Sequence, residues 1–168
     1  LWKEKLDKLI GQLKVTRPVR LFKSVLVEVP TVIGWLRPVI LLPAGALLNL
    51  SPAQLEAILA HELAHIRRHD YLVNLLQKIV ETFLFYHPAV WWVSRQIGQE
   101  REHCCDDLTV AVCGDRIAYA RALATLEGLR GSAGQLSLAA SGGPLLRRIR
   151  RLLDMPVESN RSGWWLAG

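Results

Sequence analysis

Cysteine is scarce and poorly placed for cross-linking: Cys104, Cys105 and Cys113 are the only three, crowded into ten positions of a 168-residue chain. An odd, clustered set does not build a disulfide framework and fits a reducing compartment. With no CxxC pair anywhere, a cysteine-based structural zinc site is disfavoured as well. Long apolar runs are also missing. The charge-free stretch near the middle, residues 82–94, has 13 residues, whereas a helix needs about 20 apolar residues to cross a bilayer. There is no internal repeat, no initiator Met and no signal-peptide apolar region after Leu1-Trp2-Lys3, so the chain is expected to be a piece of a longer protein.

What is present is apolar and basic. Hydrophobic residues make up 51% against 21% charged, which excludes disorder as the main state, and the length suits one domain with a real core. The net charge of +6 is compatible with nucleic acid, an anionic membrane face or a plain basic surface, so the position of the charge has to decide.

Residues 1–14 set Trp2, Leu6, Leu9, Ile10 and Leu13 at helical spacing among charges, which predicts an amphipathic lead-in helix. Residues 15–43 are rich in β-branched side chains and predict two or three short strands forming a small sheet. Pro38 and Pro43 bracket Val39, Ile40, Leu41 and Leu42, which suggests an edge strand. Ser51-Pro52-Ala53-Gln54 combines a hydroxyl N-cap, proline at the first helical position and a capping-box glutamine, so a helix is expected over 52–69. An apolar helical stretch follows over 71–97, broken at His87-Pro88. Its apolar excess reads as a core helix with partial membrane contact. Further helices are expected over 98–113 and 116–129, divided by the cap pair Gly114-Asp115. A Gly/Ser-rich loop over 131–143 and a basic amphipathic helix over 144–154 complete the chain, before Trp164-Trp165-Leu166, where 160–168 resembles the start of a membrane segment. The fold class is α+β, mostly helical with a small N-terminal sheet.

His61-Glu62-Leu63-Ala64-His65 is an HExxH motif inside the best-signalled helix. Histidines four apart project about 40° from each other at roughly 100° per residue, so both imidazoles can reach one metal ion. Glu62 then lies beside that ion, placed to take a proton from water and pass it to a leaving amine. On the helical wheel Glu62 falls within the apolar arc of Leu55, Ile58, Leu59, Leu63 and Ile66. A carboxylate in that arc is costly without a partner such as a metal site. Zinc in peptidases takes three protein ligands plus water. The thermolysin-like third ligand is a glutamate followed four residues later by an aspartate, a spacing that Glu102 and Asp106 supply 37 residues after His65.

The runs HELAHIRRHD at 61–70, His87-Pro88 before Trp91-Trp92, Arg101-Glu102 to Asp106-Asp107, and IGWLRPVILLP at 33–43 resemble the BlaR/MecR antirepressor family of membrane-embedded zinc peptidases, over about residues 15–155. More distantly they resemble the HtpX and CAAX prenyl peptidases. The resemblance implies a gluzincin-like fold, one Zn²⁺ per chain on His61, His65 and Glu102, Glu62 as general base and acid, and Asp106 behind the ligands, orienting His61. It also implies an edge strand along the cleft, for which Val39, Ile40, Leu41 and Leu42 are the candidates, where an extended substrate adds by strand pairing. Family members sense a signal and cut themselves or a transcriptional repressor at the cytoplasmic side of the bacterial cell membrane, so a protein or peptide substrate and flanking transmembrane helices are the expected partners. Nothing here resembles a penicillin-binding sensor domain.

Other residues have plainer readings. His69 is too far along the helix from His61, about 12 Å of rise, to share an ion with it, and suits a helix end. His87 and His103 are packing or turn residues, although either could donate to an oxyanion, and Cys104 and Cys105 read as small hydrophobes. Four arginines among residues 145–153 favour proximity to an anionic lipid face over a solvated helix packed on the core, and no nucleic-acid motif accompanies them. The competing function is a metal-binding scaffold or signal-transmitting module without catalysis. The presence of Glu62 favours an enzyme.

Overall fold

A computed structural model describes residues 2–129 and 143–154. The expectations for most of the 131–143 loop and for 160–168 lie outside the described residues. Helix α1 (Trp2–Gln12) turns Leu6 and Leu9 inward, as its periodicity predicts, and Leu13 just beyond it is also buried. Lys14 then takes a left-handed conformation and leads to the sheet. Strands β1 (Arg20–Ser24), β2 (Thr31–Ile33) and β3 (Val39–Pro43) form it in the order β1-β3-β2, with β1 parallel and β2 antiparallel to β3.

Val39, Ile40, Leu41 and Leu42 therefore form the central strand, which corrects the expectation of an edge. Arg20 pairs with Val39 on one side and Ile33 with Val39 on the other. Pro38 precedes the strand and Pro43 ends it, positions that need no ladder donor, so neither proline prevents pairing on both sides. Alternation carries Ile40 and Leu42 into the core. The β2–β3 turn depends on Gly34, whose φ of 87° and 3.1 Å approach of the Arg37 carbonyl to the place of a Cβ leave no room for a side chain.

A short helix that sequence patterning does not reveal, α2 (Ala44–Asn49), carries the chain to α3 (Pro52–Arg67). The capping box is formed: Gln54 N–H donates to Ser51 Oγ at 3.3 Å and Ser51 N–H to Gln54 Oε1 at 2.8 Å. Helix α3 is the axis of the domain, with Leu55, Ile58, Leu59, Leu63 and Ile66 buried against its neighbours. His69 at φ 58° turns the chain into α4 (Asp70–Phe83).

Residues 84–87 reverse the chain and α5 (Pro88–Cys113) returns it, with His87 Nδ1 accepting from Ala89 N–H. The expected helix over 98–113 is thus the second half of one 26-residue helix. Gly98 lowers helix propensity but brings no stop signal, and nothing lies within 4 Å of where its Cβ would be. Gly114 (φ 74°) caps α5, and Asp115 Oδ1 accepts from Ala118 N–H at 2.8 Å to open α6 (Arg116–Leu129).

Two expectations about membrane contact change. Helix α4 is not a core helix: only Asp70 and Glu81 are buried in it, while Leu72, Leu75, Leu76, Ile79 and Phe83 are exposed. The apolar exposure continues through Phe85, Tyr86, Trp91, Trp92 and Val93, because α4 has only α5 and the end of α3 packed against it among the described residues. By contrast the basic helix, α7 (Pro144–Leu152), packs on the core through Leu145, Ile149 and Leu152. No described helix is long and apolar enough to cross a membrane.

Candidate metal centre

Helix α3 presents His61 and His65 on one face with their Nε2 atoms 3.2 Å apart and their rings nearly perpendicular. Glu102 reaches them from α5: Oε2 lies 3.5 Å from His61 Nε2 and Oε1 3.7 Å from His65 Nε2. These three side chains, predicted as a set, are brought together with ligand atoms within 4.8 Å of one another. Two imidazole nitrogens and a carboxylate oxygen converging on one point, with an open cleft beside it, is a donor set that suits a borderline cation such as zinc.

Both imidazoles are oriented from behind. Asp70 Oδ2 lies 2.7 Å from His65 Nδ1, and the Tyr119 hydroxyl lies 2.8 Å from His61 Nδ1. Since that hydroxyl donates to Asp106 Oδ1 at 2.6 Å, it accepts from His61, which puts the proton on Nδ1 and leaves the Nε2 lone pair facing His65 and Glu102. Asp70 fixes the same tautomer in His65. Asp106, expected to orient His61, is fully buried and reaches it by way of the Tyr119 hydroxyl, its own oxygen being 3.5 Å from Nδ1.

Electrostatics separate the two glutamates. Burial pushes the Glu62 carboxyl up to about 7, with the Glu102 charge adding to the effect and His65 opposing it. Burial also acts to raise Glu102, but the neighbouring His61 and His65 and the Arg148 charge overcome it and hold this carboxyl at about 2. Desolvation lowers His61 and keeps it neutral. For His65 burial also opposes charge, yet the Asp70 hydrogen bond and the nearby carboxylates outweigh it and raise the pKa. The environment thus pushes the two neighbouring carboxyls apart, Glu102 downward and Glu62 upward.

The residues read as bystanders are mostly that. His69 is an exposed turn residue at the cleft margin, His87 caps α5, and His103 lies 3.7 Å from Glu100. Cys105 comes within 3.4 Å of His65 Nδ1 and 3.5 Å of Asp70, a second cluster of ligand-type atoms. Burial drives its thiol far above the ordinary range, so it stays protonated and packs behind His65.

Sequence reasoning missed Asp70, Tyr119 and Arg148. Asp70 follows the reversal at His69, so no helical spacing relates it to His65. Tyr119 looks like one more apolar position of α6, and Arg148 is one of four arginines on α7. Arg148 projects inward: its guanidinium grips Asp106 through Nε (2.9 Å) and Nη2 (2.6 Å) and Glu102 through Nη1 (2.9 Å).

A cavity of about 810 Å³ opens over the histidines and Glu62. Its walls are Thr31 and Val32 of β2, Trp35 and Pro38, Ile58, Leu123 and Leu126, and Pro144 and Leu145 of α7. The strand with an open edge at this cleft is β2, which pairs with β3 alone among the described residues.

The family model described as BlaR1 peptidase M56 matches residues 2–152. The chain belongs to that family. Among curated relatives, the regulatory protein BlaR1 of Bacillus licheniformis is 30% identical over 95 residues, 56% of this chain and 16% of that protein. The methicillin resistance mecR1 protein of Staphylococcus aureus is 26% identical over 80 residues, 48% of this chain and 14% of that one. A protease HtpX homolog of Methanosarcina acetivorans is 27% identical over 125 residues, 55% of this chain and 42% of its own length. The M56 chain described here thus spans about a sixth of BlaR1, and the region in common is a peptidase domain with a possible metal-binding group at its centre.

Proposed function

We propose that this M56 domain is a zinc-dependent endopeptidase, with His61, His65 and Glu102 as the metal ligands and Glu62 as general base and acid. The convergence of those three side chains on one point, beside Glu62 and open to the cleft, carries the reading. Zinc held there supplies Lewis-acid polarisation of the scissile carbonyl and acidifies water. Glu62 takes the proton of the attacking water and delivers it to the departing amide nitrogen. Asp70 and the Tyr119–Asp106 pair keep the Nε2 lone pairs of both histidines turned to the ion and support their basicity. The open edge of β2 pairs with an extended protein or peptide substrate, the role first expected of Val39–Leu42.

The exposed apolar surface of α4 and the first half of α5, carrying Trp91 and Trp92, suits contact with lipid or with transmembrane helices of the complete protein. The substrate is then a membrane-proximal protein at the cytoplasmic face, such as a transcriptional regulator or the protein itself. Glu62→Gln tests the reading. Zinc content measured by elemental mass spectrometry stays at the wild-type level, while cleavage of a casein peptide pool falls by about a hundredfold or more. Cleavage at the wild-type rate removes Glu62 from the mechanism.

A further inference from the structure

The four arginines of α7 do not have equal roles. Arg147 is exposed and Arg151 pairs with Asp107 at 2.7 Å on the surface, whereas the Arg148 side chain is only 15% exposed. Its contacts divide into two groups. Behind, Nε and Nη2 hold both oxygens of the buried Asp106, and Nη2 lies 3.2 Å from the Tyr119 hydroxyl. In front, Nη1 lies 2.9 Å from Glu102 Oε2 and Nη2 3.4 Å from His61 Nε2. Of these front atoms, His61 Nε2 is one that the metallopeptidase reading gives to zinc, and Glu102 Oε2 is one of the two carboxylate oxygens open to it. An imidazole Nε2 has one lone pair and cannot serve a guanidinium and a metal ion together, and two cations a few ångströms apart in a half-buried cleft repel.

We propose, resting on the metallopeptidase reading, that Arg148 is a positioning residue acting as an internal cation: it holds Glu102 and His61 while the site has no metal, yields both when a divalent cation arrives, and keeps its grip on Asp106. Because Pro144, Leu145 and Arg148 of α7 wall the cleft, that exchange couples metal loading to the position of the wall. The coupling runs both ways, so whatever draws α7 away from Glu102 favours metal binding.

The test is a zinc titration of the 168-residue chain in detergent micelles against a competing chelator, with Arg148→Met and Arg148→Lys alongside the wild type. Removing the competing charge in Arg148→Met tightens zinc binding about tenfold, and Arg148→Lys, which restores the charge, returns it toward the wild-type value. A residue that merely braces Glu102 and Asp106 predicts the opposite, and unchanged or weaker binding in Arg148→Met overturns the proposal. Should Arg148→Met fail to fold, hydrogen exchange of the wild type decides. Zinc makes the amides of residues 145–152 exchange about fivefold faster, since α7 loses two of its anchors. Slower or unchanged exchange refutes the exchange of partners. If the wild type and Arg148→Met bind no zinc at all, the metallopeptidase reading itself fails and takes this inference with it.

Discussion

Helices α3 and α4 follow one another and are of similar length, 16 and 14 residues, yet they have opposite fates. Nine residues of α3 are buried, almost all apolar, whereas α4 buries only two, both acidic. The apolar side chains of α4 face outward, with Leu76 at 61% and Phe83 at 76% exposure. Composition does not separate the two helices; the number of layers around them does. The sheet, α1, α5 and α6 pack around α3, so apolar side chains there build a core and the two histidines are held on a rigid support. Helix α4 has only α5 and the end of α3 against it, so its apolar surface is available to something outside the described residues. The candidate metal centre belongs to the first environment and the proposed membrane contact to the second.

That contrast can be broken most forcefully in α3. Leu63→Ala, at a side chain with no exposure on the turn between the two histidines, is expected to cost about 2–5 kcal/mol in denaturant unfolding. A loss below about 1 kcal/mol would show that α3 is not the mechanical axis of the domain. Next in size is Tyr119→Phe, which removes the hydroxyl between His61 and Asp106 while leaving the ring packed. Zinc affinity should fall about 10- to 100-fold with little change in the circular dichroism spectrum. An unchanged affinity would place Asp106 and Tyr119 outside the support of the site. The smallest effect is expected at Leu76→Ser in α4: unfolding free energy within about 0.5 kcal/mol of wild type, together with weaker partitioning into lipid vesicles. A destabilisation comparable to that of Leu63→Ala would mean that α4 is covered in the isolated chain.

Much of this was legible in local chemistry. The Ser51/Gln54 capping box, the Gly114-Asp115 boundary and the HExxH and ExxxD spacings each depend on residues within one or two turns of each other, and the structure forms all of them. The relations that sequence could not show are long-range. Val39–Leu42 has edge-like flanking prolines but pairs on both sides, because strand order is set by the return of β2 and not by local composition. The 71–97 stretch looks like core until one asks what remains to cover it. Asp70 is hidden by the left-handed turn at His69, and Arg148 by three arginines of identical chemistry. Only the packing of α7 against α5 and α6 singles it out, by placing it between Asp106 and Glu102.

The central claim is that α3 and α5 together hold one metal ion. The direct measurement is zinc per chain by elemental mass spectrometry on protein purified without added metal, for the wild type, His65→Ala and Glu102→Ala. The account predicts about one zinc per wild-type chain and near-complete loss in both variants. A full complement of zinc retained in Glu102→Ala would contradict it, because the ion would then be bound without the ligand that joins the two helices.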